Sequence, residues 1–198
     1  GRSMRLLAVA KRDGDSDEGE LTLLCVISIR DNVRKEAVDA IKEVKNAGIQ
    51  VVMVTGDRKE TAAAIARESG LIENEDDVVL TSAELGEKTD DELKALLPRL
   101  RVVARALPTD KSRLVRVAQE LDYVVGMTGD GVNDAPALKA ADIGCAMGIT
   151  GTEVSKDASS MILADDNFAT IIKAVLNGRN VYRNIKNAIQ FLLSGNMA

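Results

Sequence analysis

Apolar and polar residues follow one another along the chain in blocks, and the block lengths separate strands from helices. Leu21–Ile29 (LTLLCVISI) is a continuous apolar run of strand length. Arg34–Ala47 instead places Ala37, Val38, Ile41, Val44 and Ala47 at helical spacing, and Gly48 stops it. Ile49–Val54 (IQVVMV) predicts a second buried strand, and Lys59–Ser69 a small-residue helix ended by Gly70. Glu73–Asp77 is polar and predicts a loop. Thr89-Asp90-Asp91-Glu92 has the form of a capping box opening a helix over Asp91–Leu97. Val102–Ala104 predicts a short strand. Pro108 then stands near the start of a helix reaching about Leu121, a favoured place for proline. Strands are predicted at Tyr123–Met127, Ile143–Met147 and Ser160–Leu163, with a short helix at Asp134–Ala140. From Asn167 the pattern is helical to the end.

Repeated strand–helix units with nearly continuous apolar strands predict an α/β fold, a Rossmann-like doubly wound parallel sheet with helices on both faces. Sites in such sheets form in the crevice beyond the carboxyl ends of the strands. Two predicted strands end in unusual polar sequences there: Val54 runs into Thr55-Gly56-Asp57, and Met127 into Thr128-Gly129-Asp130-Gly131-Val132-Asn133-Asp134. A predicted helix between them carries Thr109-Asp110-Lys111 in its first turn.

The Thr55 turn has two readings. A hydroxyl and a glycine-freed amide ahead of a helix make a small anion cradle, and the same residues make an ordinary capped turn. The Thr128–Asp134 loop offers two carboxylates four residues apart. Paired oxygen ligands suit Mg²⁺, which takes one or two carboxylates together with phosphate oxygens and water. Asp130 would sit at the strand tip, and Asp134 would begin the next helix, where a plain cap is the alternative. Lys111 opposes the helix macrodipole, which hints at an anionic partner. Together these groups are equipment for phosphoryl transfer. No Gly-rich Walker sequence accompanies them.

Composition narrows the chemistry. The 198 residues contain no histidine, which removes His-based acid–base catalysis, serine triads and His metal sites. A net charge of −5 with 2% aromatics does not suit nucleic acid as a partner. No apolar run approaches the roughly 20 residues of a membrane span, and no signal peptide is visible. Cys25 and Cys145 lie alone in apolar strand-like runs, which predicts two buried, inert thiols.

The polar sequences at these strand ends resemble, in order and context, the later signature motifs of P-type cation-transporting ATPases. The resemblance rests on Thr55-Gly56-Asp57, Asp110-Lys111 and the run from Thr128 to Leu138 (TGDGVNDAPAL). Ala146-Met147-Gly148, Gly151-Thr152-Glu153-Val154 and Leu163-Ala164-Asp165-Asp166-Asn167-Phe168 are similar to that family too. The likeness runs from about Met4 to Ala198 and is to the type II, calcium-pump-like group, within the haloacid-dehalogenase-like superfamily.

The resemblance implies roles. Thr55 and Gly56 would contact the transferred phosphoryl group, and Lys111 would neutralise it. Asp130 would bind Mg²⁺, while Asp134 would support the site and hold Lys111. Asn133 would hydrogen-bond the phosphate region, and Asp31, Asp57 and Arg105 would sit toward ATP. Residues 1–20 would be a return segment from a nucleotide-binding domain, 21–180 a partial phosphorylation domain, and 181–198 a stalk helix leading to a transmembrane helix. The partners would be the nucleotide-binding, actuator and transmembrane domains of the same pump, and Ca²⁺ as the transported ion. The parent would be integral to a membrane, with this segment cytoplasmic.

Two departures stand out. Asp31-Asn32-Val33-Arg34 occurs where the family has Asp-Pro-Pro-Arg, so the stiffening prolines are replaced. The Asp-Lys-Thr-Gly-Thr motif that carries the phosphorylated aspartate, on the first strand of the family's sheet, does not occur in these residues. Asp13-Gly14-Asp15 follows an apolar strand and could substitute as a nucleophile in a stand-alone phosphatase. It lies in an acidic tract, Asp13–Glu20, which predicts a solvated hairpin loop instead. A Mg²⁺/phosphate-binding module without catalysis is the remaining alternative.

Overall fold

The computed structural model describes residues 5–12, 21–29 and 33–196. Strands β1 (Arg5–Arg12) and β2 (Leu21–Ile29) form an antiparallel ribbon. Among the described residues no second layer covers it, so Leu7, Val9, Leu23, Leu24, Val26 and Ile27 stay exposed on both faces. Cys25 belongs to this ribbon and is exposed, which corrects the expectation of a buried thiol. Two strands alone have no opposing layer to bury a face. The Asp13–Asp15 segment lies outside the described residues.

The remaining strands are parallel and form two three-stranded sheets. The first has the order β3 (Met53–Val54), β5 (Leu100–Ala104), β4 (Val78–Thr81). The second has the order β6 (Gly126–Gly129), β7 (Ile143–Met147), β8 (Met161–Leu163). Cys145 sits on the central strand β7, where burial pushes its thiol up.

Strand β5 shows why helices cover both faces. Its Leu100 and Val103 pack with Leu85 of α3 (Ser82–Gly86), Leu93 of α4 (Asp90–Leu96), and Leu114 and Val117 of α5 (Pro108–Gln119). Its Val102 and Ala104 pack on the other side against Ile41 of α1 (Lys35–Asn46) and Ala62 and Ala66 of α2 (Lys59–Glu68). A strand so enclosed must be apolar on alternate positions of both faces. Ala40 and Val44 of α1 also meet Ile172 near the start of the long helix α8 (Phe168–Asn196). Gly48 and Gly70 end α1 and α2 at φ 73° and 75°, the left-handed conformation of a helix stop.

Two strands begin later than their apolar runs. The Gln50 side-chain amide donates to the carbonyls of Leu97 and Leu100, at 2.6 and 3.0 Å, where a ladder would otherwise start. Ladder pairing of β3 therefore begins at Met53, opposite Val102. Before β6, Asp122 takes φ 60° and the Val125 amide donates to Asp142 Oδ2, so Val124 is left 80% exposed. Pairing starts at Gly126 and carries on through Gly129.

The capping box at Thr89 is present, with Thr89 and Glu92 exchanging hydrogen bonds. A second box of the same form, Thr81 with Glu84, opens α3 directly after β4. Lys59 Nζ lies 2.7 Å from Glu84 Oε1 and ties α2 to this turn.

Leu93→Ala should lower stability by about 3 kcal/mol, read as an earlier urea midpoint, because Leu93 is fully buried between α4 and β5. The Lys59 ammonium, then the Thr81 amide, pull the Glu84 carboxyl down from 4.5 to about 2. The unfolded chain therefore takes up its proton first as pH falls, so this stabilisation is complete above about pH 4.5 and lost towards pH 2. Glu84→Gln should flatten the stability–pH curve in that window in denaturation series at successive pH values.

Candidate functional site

The residues singled out in the sequence lie at the carboxyl ends of β3, β5 and β6. Beyond β3, the Thr55 hydroxyl donates to Asp57 Oδ2 at 3.1 Å and accepts from the Asp57 amide at 3.2 Å. The hydroxyl thus closes a local turn, and Gly56 and Asp57 are exposed on it. Pairing with the chain beyond β5 continues around this turn. The Thr55 amide donates to Val103 O, Ala106 N donates to Thr55 O, and Arg105 N donates to Asp57 O, each at 2.9 Å. Arg105 itself takes φ 51°, a strained conformation for a residue with a side chain. An open cavity of about 610 Å³ lies beside it, lined by Lys59, Glu60, Thr81, Ser82, Arg105 and Leu107 among others.

The same segment launches α5. Pro108 occupies the first turn, and the buried Asp110 reaches back so that the Leu107 amide donates to it at 2.8 Å. This fixes the turn from which Lys111 projects. Lys111 Nζ donates to Asp134 Oδ1 at 2.5 Å, so the anionic partner that its helix position hinted at is Asp134.

Asp134 closes the short 3-10 turn Val132–Asp134 ahead of α6 (Ala135–Ala140), and its side chain is 8% exposed. While Oδ1 takes the lysine, Oδ2 accepts from the amides of Asp130 and Gly131, both at 3.2 Å. The carboxylate is therefore a turn cap and a charge partner together. Gly129 makes the close approach possible, since a Cβ there would overlap the Asp134 side chain. Asp134 is buried and Lys111 half-buried, and a buried carboxylate persists as an ion where a cation and amides satisfy its lone pairs.

Asp130 is exposed at the tip of β6, and Asn133 is exposed on the turn after it. The backbone of Asp130 is held at both ends. Asp134 takes its amide, and its carbonyl accepts from the Thr152 amide at 2.9 Å and lies 3.2 Å from Ser155 Oγ. Ser155, on α7 (Glu153–Asp157), is fully buried. Sequence reasoning missed Gly129, Thr152 and Ser155. Thr152-x-x-Ser155 before a short helix is a capping pattern that marked the place, though not its contact with Asp130.

The structure thus joins Lys111, Asp134, Asp130 and Gly131 through direct bonds. It joins Thr55, Asp57 and Arg105 through backbone pairing, with the Asp57 and Arg105 side chains exposed. Asp31 lies outside the described residues. No group of three or more acidic, Cys or His residues that could hold a metal occurs among the described residues. With Asp134 engaged by Lys111 and two amides, Asp130 offers the free carboxylate. That donor set fits a hard cation that keeps most of its water and shares a substrate's phosphate oxygens, as Mg²⁺ does.

Residues 4–142 match the haloacid dehalogenase-like hydrolases, and the chain belongs to this family. It is similar in particular to calcium-transporting ATPases. It is 53% identical over 182 residues to calcium-transporting ATPase 1 of Lactococcus lactis, covering 92% of this chain and 20% of that protein. It is 45% identical over 204 residues to the calcium-transporting ATPase of Bacillus subtilis, covering 99% of this chain and 23% of that protein. To the human plasma membrane calcium-transporting ATPase 4 it is 45% identical over 218 residues, covering 98% of this chain and 18% of that protein. The chain thus spans about a fifth of the length of these relatives. Among the described residues, no helix is long and apolar enough to cross a membrane.

Gly129→Ala should force Asp134 away from the Asp130 and Gly131 amides, at a cost of about 1–3 kcal/mol. Hydrogen exchange at those two amides should quicken by more than the global loss of stability accounts for, read by NMR.

Proposed function

We propose that this chain forms part of the phosphorylation domain of an ATP-driven calcium pump, the part that handles the transferred phosphoryl group and its Mg²⁺. The observation that carries the reading is the Lys111–Asp134 pair, bonded at 2.5 Å beside the exposed Asp130. A lysine braced by a buried carboxylate keeps its remaining donors for a phosphoryl oxygen, and electrostatic stabilisation of this kind dominates phosphoryl transfer.

In this reading Lys111 neutralises the transferring group. Asp134 holds Lys111 and orients the Asp130–Gly131 amides. The Thr55 hydroxyl turns from Asp57 to the phosphoryl group, which Gly56 also contacts, and Asn133 bonds the phosphate region. Arg105 faces ATP, which the cavity beside it supports, and Asp57 and Asp31 would serve the same ligand. Asp130 would hold Mg²⁺, and the bound cation would supply charge neutralisation on the phosphoryl oxygens.

The phosphorylated aspartate would come from another part of the pump. Strands β3 and β6 each pair on one side only among the described residues, and Thr55 and Asp130 stand at their carboxyl ends. A parallel strand between those flanks would bring its own end beside both. An aspartyl-phosphate formed there would divide ATP hydrolysis into two easier steps. Calcium as the ion is supported by the relatives' names, and the nucleotide-binding, actuator and transmembrane partners by the fifth of their length that this chain spans. Residues 1–20, 21–180 and 181–198 would then be the return segment, the phosphorylation domain and the stalk, on the cytoplasmic side of a membrane protein.

Millimolar phosphate with Mg²⁺ should shift the NMR signals of Gly56 and Gly131, and Lys111→Met should abolish the response. No covalent label should form from radiolabelled ATP. Signals indifferent to phosphate would overturn the site. A hydroxylamine-sensitive label lost in Asp13→Asn would show that the chain carries its own nucleophile.

A further inference from the structure

The turn after β7 offers a contact that the roles assigned above do not use. Asp166 lies beyond β8 and takes φ 48°, a conformation that L residues rarely adopt. Its carboxylate gathers three donors from the turn. The Ile149 amide donates to Oδ1 at 2.9 Å, and the Thr150 amide and hydroxyl donate to Oδ2, both at 2.7 Å. These bonds, led by the one from Ile149, draw the carboxyl down to about 2, so it is ionised throughout the neutral range.

The turn it holds ends on the metal-site loop. Gly148 N donates to Leu163 O at 2.8 Å, which seats the start of the turn against β8. Gly151 then passes so close to Met147 that a Cβ there would overlap the Met147 carbonyl. One residue later the Thr152 amide donates to the Asp130 carbonyl at 2.9 Å. Asp166 is thus connected through one short, tightly packed turn to the peptide that carries the Asp130 carboxylate. The opposite side of that peptide is held by Asp134.

We infer that Asp166 is a positioning residue for Asp130: its carboxylate holds the 148–152 turn so that Thr152 pins the Asp130 carbonyl and aims the exposed Asp130 side chain at its cation. The inference rests on the proposed role of Asp130 as the Mg²⁺ ligand. Without the carboxylate, the Ile149 and Thr150 amides lose their acceptor and the turn opens, so the Asp130 carbonyl loses the Thr152 amide and keeps only the Ser155 hydroxyl. The Asp134 end stays in place, because nothing in the Lys111–Asp134 pair touches Asp166.

The test uses the 198-residue chain, with Mg²⁺ alone as the probe and amide NMR as the readout. Wild-type Asp130 and Gly131 signals should move on Mg²⁺ titration. Asp166→Ala should speed hydrogen exchange at Thr152 about tenfold or more and weaken the Mg²⁺ response at Asp130 by roughly tenfold, a typical loss when an orienting partner of a ligand is removed. Asp166→Asn retains one acceptor oxygen and the volume of the side chain, so it should fall between Ala and wild type and keeps the test open if Ala misfolds. Asp165→Asn, which alters contacts in the first turns of α8 with Asn167, Thr170 and Lys173 and none with the 148–152 turn, should leave both readouts unchanged. Unaltered Thr152 exchange and Mg²⁺ affinity in the Asp166 variants would overturn the inference while leaving the Asp130 site standing. If Mg²⁺ moves no wild-type signal near Asp130, the metal role of Asp130 fails, and the inference fails with it.

Discussion

A carboxylate with its two oxygens committed to different elements organises this site. Asp134 gives one oxygen to the ammonium of Lys111, from the helix that follows β5, and the other to two amides at the tip of β6. Each part alone would be weak: the lysine opposes its helix dipole, and the amides end a short strand. Joined, they link segments that follow strands of two different three-stranded sheets. The burial that makes an unpaired charge so costly also makes this pairing hard to break.

Around that link the molecule leaves its chemistry exposed and its supports buried. Asp130, Asn133, Asp57, Gly56 and Arg105 face solvent, whereas Asp134, Asp110 and Ser155 are buried. The phosphate site proposed above would need this division, since preorganised donors act without rearranging at the moment of reaction. The Asp130 peptide shows it most clearly. Its amide and carbonyl are both taken, and only the side chain is left to act.

Much of the site could be read from residue order. Two acids and two glycines after an apolar strand marked the Asp130–Asp134 loop, and a lysine in a helix's first turn marked Lys111. Asp134 stands ahead of α6 but makes no side-chain cap bond to that helix; its oxygens go to the preceding Asp130 and Gly131 amides and to Lys111, the partner that the resemblance implied. Two readings of the Thr55 turn remain in the geometry, with the hydroxyl engaged locally and Gly56 exposed. Of the two glycines in this loop, the one packed against Asp134 is Gly129, which the loop pattern did not distinguish from Gly131. Its neighbour is a side chain five residues on, and only the folded turn brings them together. Cys25 was misjudged because an apolar run implies burial only where a second layer exists to cover it.

From its order of residues alone, the chain determined most of the element types and their stops, while the short β4, α3 and α7 left no pattern long enough to read. Apolar runs, capping pairs such as Thr89 with Glu92, and the glycines at 48 and 70 act over a few residues, so local chemistry suffices. Only the tertiary structure decided where pairing begins, which strands neighbour which, and what each charge meets. Gln50 and Asp142 capture backbone partners far away in sequence, and Lys111 meets a carboxylate 23 residues further on. Those choices depend on how the sheets and helices are arranged in space, and spacing along a chain carries no measure of distance across a fold.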